Sequence, residues 1–104
     1  MVSYQNQFHV QHEAYEGFVK WMREEQIPAM LRLPGFLGAE LLLQKGGALM
    51  SSAKEVKVLY RLKDEAALKD YLGANALEIR QRGVDKFPGQ YSAHREIWLQ
   101  METF

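Results

Sequence analysis

Apolar and polar positions alternate from the second residue onward. Val2, Tyr4, Phe8 and Val10 are interleaved with Ser3, Gln5, Gln7 and His9, the period of two expected of a strand with one covered face and one wetter face. This predicts a first strand over residues 2–10. From Glu13 the period changes. Tyr15, Phe18, Val19 and Met22 fall at helical spacing, with Glu13, Glu16, Lys20, Arg23 and Glu24 opposite, so a helix is predicted from about His12. Pro28 lacks an amide donor, so the regular helix should end or kink near Gln26, with residues 28–31 adding one turn that points Met30 and Leu31 inward. Pro34-Gly35 reads as a turn.

Phe36 to Lys45 is apolar and bounded by glycines, and Lys54 to Leu62 alternates through Val56, Val58, Tyr60 and Leu62, which predicts two further strands joined by a hairpin loop spanning Gly46-Gly47 to Ser51-Ser52. Asp64 suits the N-cap of a second helix with Leu68, Tyr71, Leu72, Ala76 and Ile79 inward, a break at Gly73 and a stop at Gly83. After a turn at Phe87-Pro88-Gly89, a fourth strand sets Tyr91, Ala93, Ile97, Leu99 and Met101 against Ser92, His94, Glu96, Trp98 and Gln100. The order β-α-β-β-α-β predicts an α+β, ferredoxin-like fold: one antiparallel four-stranded sheet with both helices on the same face. The other face, expected to carry Gln5, Gln7, His9, Lys57, Leu59, Arg61, His94, Glu96 and Trp98 with Phe36, Glu40 and Leu42, mixes polar with large apolar groups. Such a face suits contact with a second copy, so a two-fold homodimer is expected.

The composition narrows the function classes. A chain of 104 residues, 47% hydrophobic and 25% charged, fits one domain over 1–104. Lysine and arginine total 13 and aspartate and glutamate total 13, so no net field recruits nucleic acid or an anionic membrane. Cysteine is absent, which removes disulfides, thiolate metal sites and cysteine nucleophiles and fits a reducing compartment. The amino terminus alternates where a secretory signal would be continuously apolar, and the apolar run Leu41–Leu43 is far short of the roughly 20 residues that cross a bilayer. Cytoplasmic localisation is the expectation.

Antiparallel pairing of the first and fourth strands sets Asn6 beside Arg95 on the helix-covered face, among Tyr4, Phe8, Tyr91, Ala93 and Ile97. A buried amide and guanidinium cost several kcal/mol unless partnered, so their position asks for a reason. Tyr60 on the third strand should point the same way, and Trp21 borders the apolar stripe of the first helix. Asn6, Arg95, Tyr60, Tyr4 and Trp21 thereby outline an aromatic pocket fitted to a carboxylate or phenolate, with arginine stabilising charge that develops as a proton leaves or oxygen adds. The plainer alternative has Arg95 pairing with a helix carboxylate such as Glu78, and Asn6 bonding to backbone. His9, His94 and Glu96 share the bare face, but their spacing matches no established ligand set, so no metal is assigned; nor does any segment specify porphyrin contacts. Ser51-Ser52-Ala53-Lys54, His12-Glu13 and Gly35-x-x-Gly38 each lack the companion elements of the motifs they partly match.

The alternating amino terminus, Trp21-Met22-Arg23-Glu24-Glu25-Gln26-Ile27-Pro28, and Tyr71, Arg80, Gly83 and Phe87 before the last strand give nearly the whole chain a pattern that resembles the dimeric alpha-beta barrel superfamily. Within it, the pattern is similar to a small bacterial family of uncharacterised function. The resemblance implies dimerisation through the bare sheet faces and a ligand held between sheet and helices in each subunit. Activities in the superfamily include cofactor-free monooxygenases, haem-degrading enzymes, polyketide cyclases and isomerases, so the fold alone selects none. The expectation is a small dimeric barrel that binds an aromatic or carboxylated metabolite and acts as a monooxygenase, cyclase or isomerase without a bound cofactor. The competing expectation is a non-enzymatic ligand-binding or structural dimer; an enzyme or binder should show a roomy, lined cavity near Arg95, and a purely structural protein should fill that space with Trp21, Met22 and Phe18.

Overall fold

The computed structural model describes residues 1–46 and 53–104. The predicted hairpin loop and the serines of Ser51-Ser52-Ala53-Lys54 therefore lie largely outside the described residues. Strand β1 (Val2–Gln11) passes through a short 3-10 turn (His12–Ala14) into helix α1 (Tyr15–Trp21), a π-helical segment (Met22–Gln26) and helix α2 (Ile27–Leu31). Strands β2 (Phe36–Leu43) and β3 (Ala53–Leu62) follow, then helices α3 (Glu65–Ala74) and α4 (Ala76–Lys86) and strand β4 (Tyr91–Leu99). The sheet order is β2-β3-β1-β4, with every neighbouring pair antiparallel. This is the ferredoxin-like α+β arrangement.

Parity along β1 follows the sequence pattern. Val2, Tyr4, Asn6, Phe8 and Val10 are all buried beneath the helices, whereas His9 on the other face is exposed. Val56, Val58, Tyr60 and Leu62 continue the covered face on β3, and each aliphatic side chain removed from water contributes about 1.5–3 kcal/mol. Asp64 caps α3, its carboxylate accepting from the Ala67 amide at 2.9 Å.

Several local expectations are corrected. Phe36 is buried against Tyr60 and Tyr71, not on the bare face. A register shift between Phe36 and Gly38 changes the parity of β2, so Glu40 and Leu42 do lie opposite Leu59 and Lys57 while Phe36 lies opposite Leu62. The irregularity expected near Gln26 is present as a wider turn, in which the Ile27 amide donates to the Met22 carbonyl five residues back, and the chain continues as helix over Ile27–Leu31. That turn also decides which residues face inward. Phe18, Met22, Gln26 and Met30 are all buried, a spacing of four residues that a regular helix of 3.6 per turn would rotate off one face and that a π turn realigns. Leu31, expected inward, is 39% exposed, as is Leu72. The second helical stretch breaks at Asn75, not Gly73, and continues past Gly83 to Lys86. Gly83 is buried inside α4, where a Cβ would collide with the Tyr91 hydroxyl. It is a packing glycine. Finally, Ile97 and Leu99 keep the predicted parity but are about half exposed, because the helices stop short of the β4 edge. Met101 lies beyond β4.

Candidate functional site

The helices leave a narrow cleft over β1 and β4. The sheet supplies Asn6, Phe8, Tyr60, Tyr91 and Arg95, and the helices supply Trp21, Met22, Gln26, Tyr71 and Arg80. Asn6 and Arg95 are cross-strand partners, as their parity predicts. Asn6, Arg95, Tyr60 and Trp21 all line the cleft. Tyr4 does not. It is buried behind the lining, opposite Tyr60 in register, and its hydroxyl accepts from Arg80 Nη2 at 3.0 Å. Tyr4 thus holds a cleft arginine in place.

The cleft is rich in hydrogen-bond donors. The Asn6 amide nitrogen and Arg80 Nε are buried without a hydrogen-bond partner among the described residues, and Asn6 is only 5% exposed. An orphaned buried donor costs about 1–3 kcal/mol, so two beside one cleft are a concentrated penalty. Arg95 is half-buried; the Glu78 named as its alternative partner pairs instead with Arg82 at 3.3 Å, and the Asn6 side-chain nitrogen donates to no backbone carbonyl among the described residues. Gln26 is different, being buried and satisfied, with its amide donating to the Ile79 carbonyl at 3.1 Å and tying the π segment to α4.

Three phenols complete the lining. Burial, then the neighbouring Tyr4, pushes the Tyr71 hydroxyl up to about 12, while Arg80 and Arg95 oppose the rise. Burial likewise carries Tyr60 well above the usual phenol range, reinforced by Tyr71 and Tyr4, and raises Tyr91 against the pull of Arg95. All three stay neutral and able to donate near pH 7. Among the described residues no carboxylate or imidazole lines the cleft. The arrangement suits an acceptor: a carboxylate, carbonyl, enolate or phenolate oxygen set among an amide, two guanidinium groups and phenols.

The open volume is small. About 20 Å³ lies open between the lining side chains, room for a water molecule but not an aromatic ring. Arg80, Tyr91 and Arg95 also border an outer groove of about 310 Å³ between α4 and β4, whose apolar wall includes Val84, Phe87 and Ala93. Sequence pattern did not assign Arg80, Tyr71 or Gln26 to the site. Arg80 and Tyr71 belonged to the pattern that carried the superfamily resemblance, and Gln26 faces inward only because of the π turn.

On the bare face the imidazoles separate. His9 approaches Glu55 at 3.6 Å and His94 approaches Glu96 at 2.9 Å. Among the described residues no group of three histidine or acidic side chains is placed to hold a metal, and no helix is long and apolar enough to cross a membrane.

Solved structures share this architecture at low identity. The haem-degrader MhuD of Mycobacterium tuberculosis, solved with two haems bound, superposes with a TM-score of 0.75 at 19% identity, covering 100% of this chain and 99% of its own. A point mutant of the cofactor-independent oxygenase SnoaB of Streptomyces nogalater gives 0.67 at 17% identity with 98% and 94% covered. HapK of Hahella chejuensis gives 0.70 at 13% identity with 100% and 96% covered. At these identities the likenesses show the shared ferredoxin-like α+β fold. No curated protein matches the sequence. The sequence profile of a domain of unknown function, DUF4286, matches residues 1–101, and the chain belongs to that family.

Proposed function

We propose that this chain forms a homodimeric barrel that binds an aromatic or carboxylated small molecule between sheet and helices, and acts on it by cofactor-independent, monooxygenase-like, cyclase or isomerase chemistry. The observation that carries the proposal is the Asn6 amide, buried and unpartnered beside Arg80 and Arg95 in one cleft. A ligand oxygen satisfies such donors directly, in place of the single water for which the cleft has room.

The chemistry follows from the sign of the lining. With two guanidinium groups and no carboxylate or imidazole among the described lining residues, the site favours the deprotonated form of an acidic phenol or 1,3-dicarbonyl compound and stabilises its oxyanion; the proton leaves to water. A carbanion-like carbon of the anion then adds to dioxygen, and the peroxide formed takes a proton from water and eliminates water to leave a carbonyl, or the anion cyclises, while the groove wall of Val84, Phe87 and Ala93 orients its ring. Haem, which one fold neighbour binds, does not fit this cleft: its open volume of about 20 Å³ is far below a porphyrin's, no imidazole among the described residues lines it, and burial holds its phenols neutral, away from the phenolate that would ligate iron. The dimer is supported by Leu42 and Trp98, 46% and 53% exposed on that bare face.

The competing structural-dimer reading draws on the small closed volume, which Phe18, Trp21 and Met22 help to fill. The orphaned donors weigh against it. Calorimetric titration of aromatic acids and phenols into the wild type and Asn6→Leu separates the two. The ligand reading predicts saturable binding lost or weakened at least tenfold in the variant; absence of binding by any member to the wild type contradicts it.

A further inference from the structure

Tyr91 stands at the first residue of β4, and its side chain borders both the inner cleft and the outer groove. Two angled ring contacts fix it, with Phe8 at 5.8 Å and Phe18 at 5.2 Å between centroids. Its hydroxyl end rests over Gly83 of α4, at the point where any larger residue would place its Cβ. A glycine inside a helix costs about 1 kcal/mol relative to alanine, yet here it opens the notch that admits a tyrosine from the sheet. The Tyr91 hydroxyl has no hydrogen-bond partner among the described residues.

We infer that Tyr91 is the specificity-determining wall of the site: seated in the notch at Gly83, its ring divides one continuous space into a cleft that accepts an acidic head group and a groove that accepts the ligand body. This rests on the ligand reading above and adds the limit on ligand size. With the wall in place, only the oxygen-bearing end of a ligand passes between Arg80 and Arg95 toward Asn6. The ring stays outside, against Val84, Phe87 and Ala93. Aryl carboxylates with one ring fit that division. A fused two-ring acid must either leave its second ring in water or displace Tyr91.

The test compares benzoate with 2-naphthoate as probes, titrated into full-length wild type, Tyr91→Ala, Tyr91→Val and Tyr91→Phe, with circular dichroism to confirm folding. Valine keeps a β-favouring residue in the strand should alanine fail to fold. The wild type is expected to prefer benzoate. In Tyr91→Ala or Tyr91→Val the naphthoate-to-benzoate affinity ratio is expected to rise at least tenfold, and in Tyr91→Phe, which keeps the ring, to stay within twofold. Equal gains for both acids on removing the ring mean that it filled a closed hole, and overturn the inference. So does an unchanged ratio, or a phenylalanine variant that behaves like alanine. Failure of both acids to bind any of the proteins overturns the ligand reading and the wall with it, whereas binding without a change in ratio removes the wall alone.

Discussion

Asn6 has two neighbours in the sheet, and they belong to different regions. Toward β3 it pairs with Val58, which with Val56 and Leu62 is completely buried, and that side is a sealed apolar core. Toward β4 it pairs with Arg95, and that side is the cleft, with two orphaned donors and a half-buried cation. The helices cover the β3 side and Asn6 but stop short of the β4 edge. The difference teaches that polar residues in the cleft are not a failure of helix coverage, since the coverage that expels water over β3 extends to Asn6 itself. One half of the layer is built for stability, and the other tolerates unsatisfied groups that a ligand can satisfy.

Substitutions on each side sharpen that contrast. Leu62→Ala, in the sealed half, should lower stability by about 2–5 kcal/mol in denaturant unfolding; a loss under about 1 kcal/mol would show that the core there is not close-packed. Asn6→Leu, in the cleft half, should do the opposite and raise stability by about 1–3 kcal/mol, because it removes an unpaired buried donor. Leu59→Glu, on the bare face opposite Gln5 and Glu40, should leave the monomer folded and prevent the proposed dimer, since that pairing would bury a charge against a second copy. Sedimentation of the wild type as a monomer at micromolar concentration would remove the basis for that expectation.

The smallest effect is a pH dependence. The Tyr71 phenol is raised in the folded state to about 12 from its ordinary value near 10, so above about pH 10 the unfolded chain releases a proton that the folded chain retains. Its stabilising contribution is therefore whole below about pH 10 and declines as pH rises through about 12. Tyr71→Phe should flatten that decline, read as melting temperature against pH; an identical slope in both proteins would show that Tyr71 does not titrate late.

Much of this contrast was legible in the sequence. Period-two alternation placed Asn6 and Arg95 as partners on the covered face, because a side-chain period of two leaves no freedom once the topology is set. The same rule failed for Phe36, where the register shift before Gly38 reverses parity and nothing in the local composition marks it. Leu31 was expected inward and Gln26 was given no side, because a π turn resets the helix face in a way that a 3.6-residue period cannot represent. Gly83 read as a helix stop because glycine is common there, whereas its role depends on Tyr91 arriving from a distant strand. Arg80 sits beside Ile79 on α4, one step off the apolar stripe, and only the folded arrangement, in which it lines the cleft and bonds to Tyr4, shows its role.

The central claim is that the donors of the cleft await a ligand. Arg95→Met tests it most directly, through melting temperatures of wild type and variant with and without a panel of aromatic acids and phenols. The predicted result is a variant at least as stable as the wild type when unliganded. At least one acid should raise the wild-type midpoint, because it binds only the folded state, and that response should be lost in the variant, as expected when about 2–5 kcal/mol of binding energy is removed. A destabilised variant, together with a wild type whose midpoint no acid raises, would contradict the claim and leave Arg95 as part of the architecture.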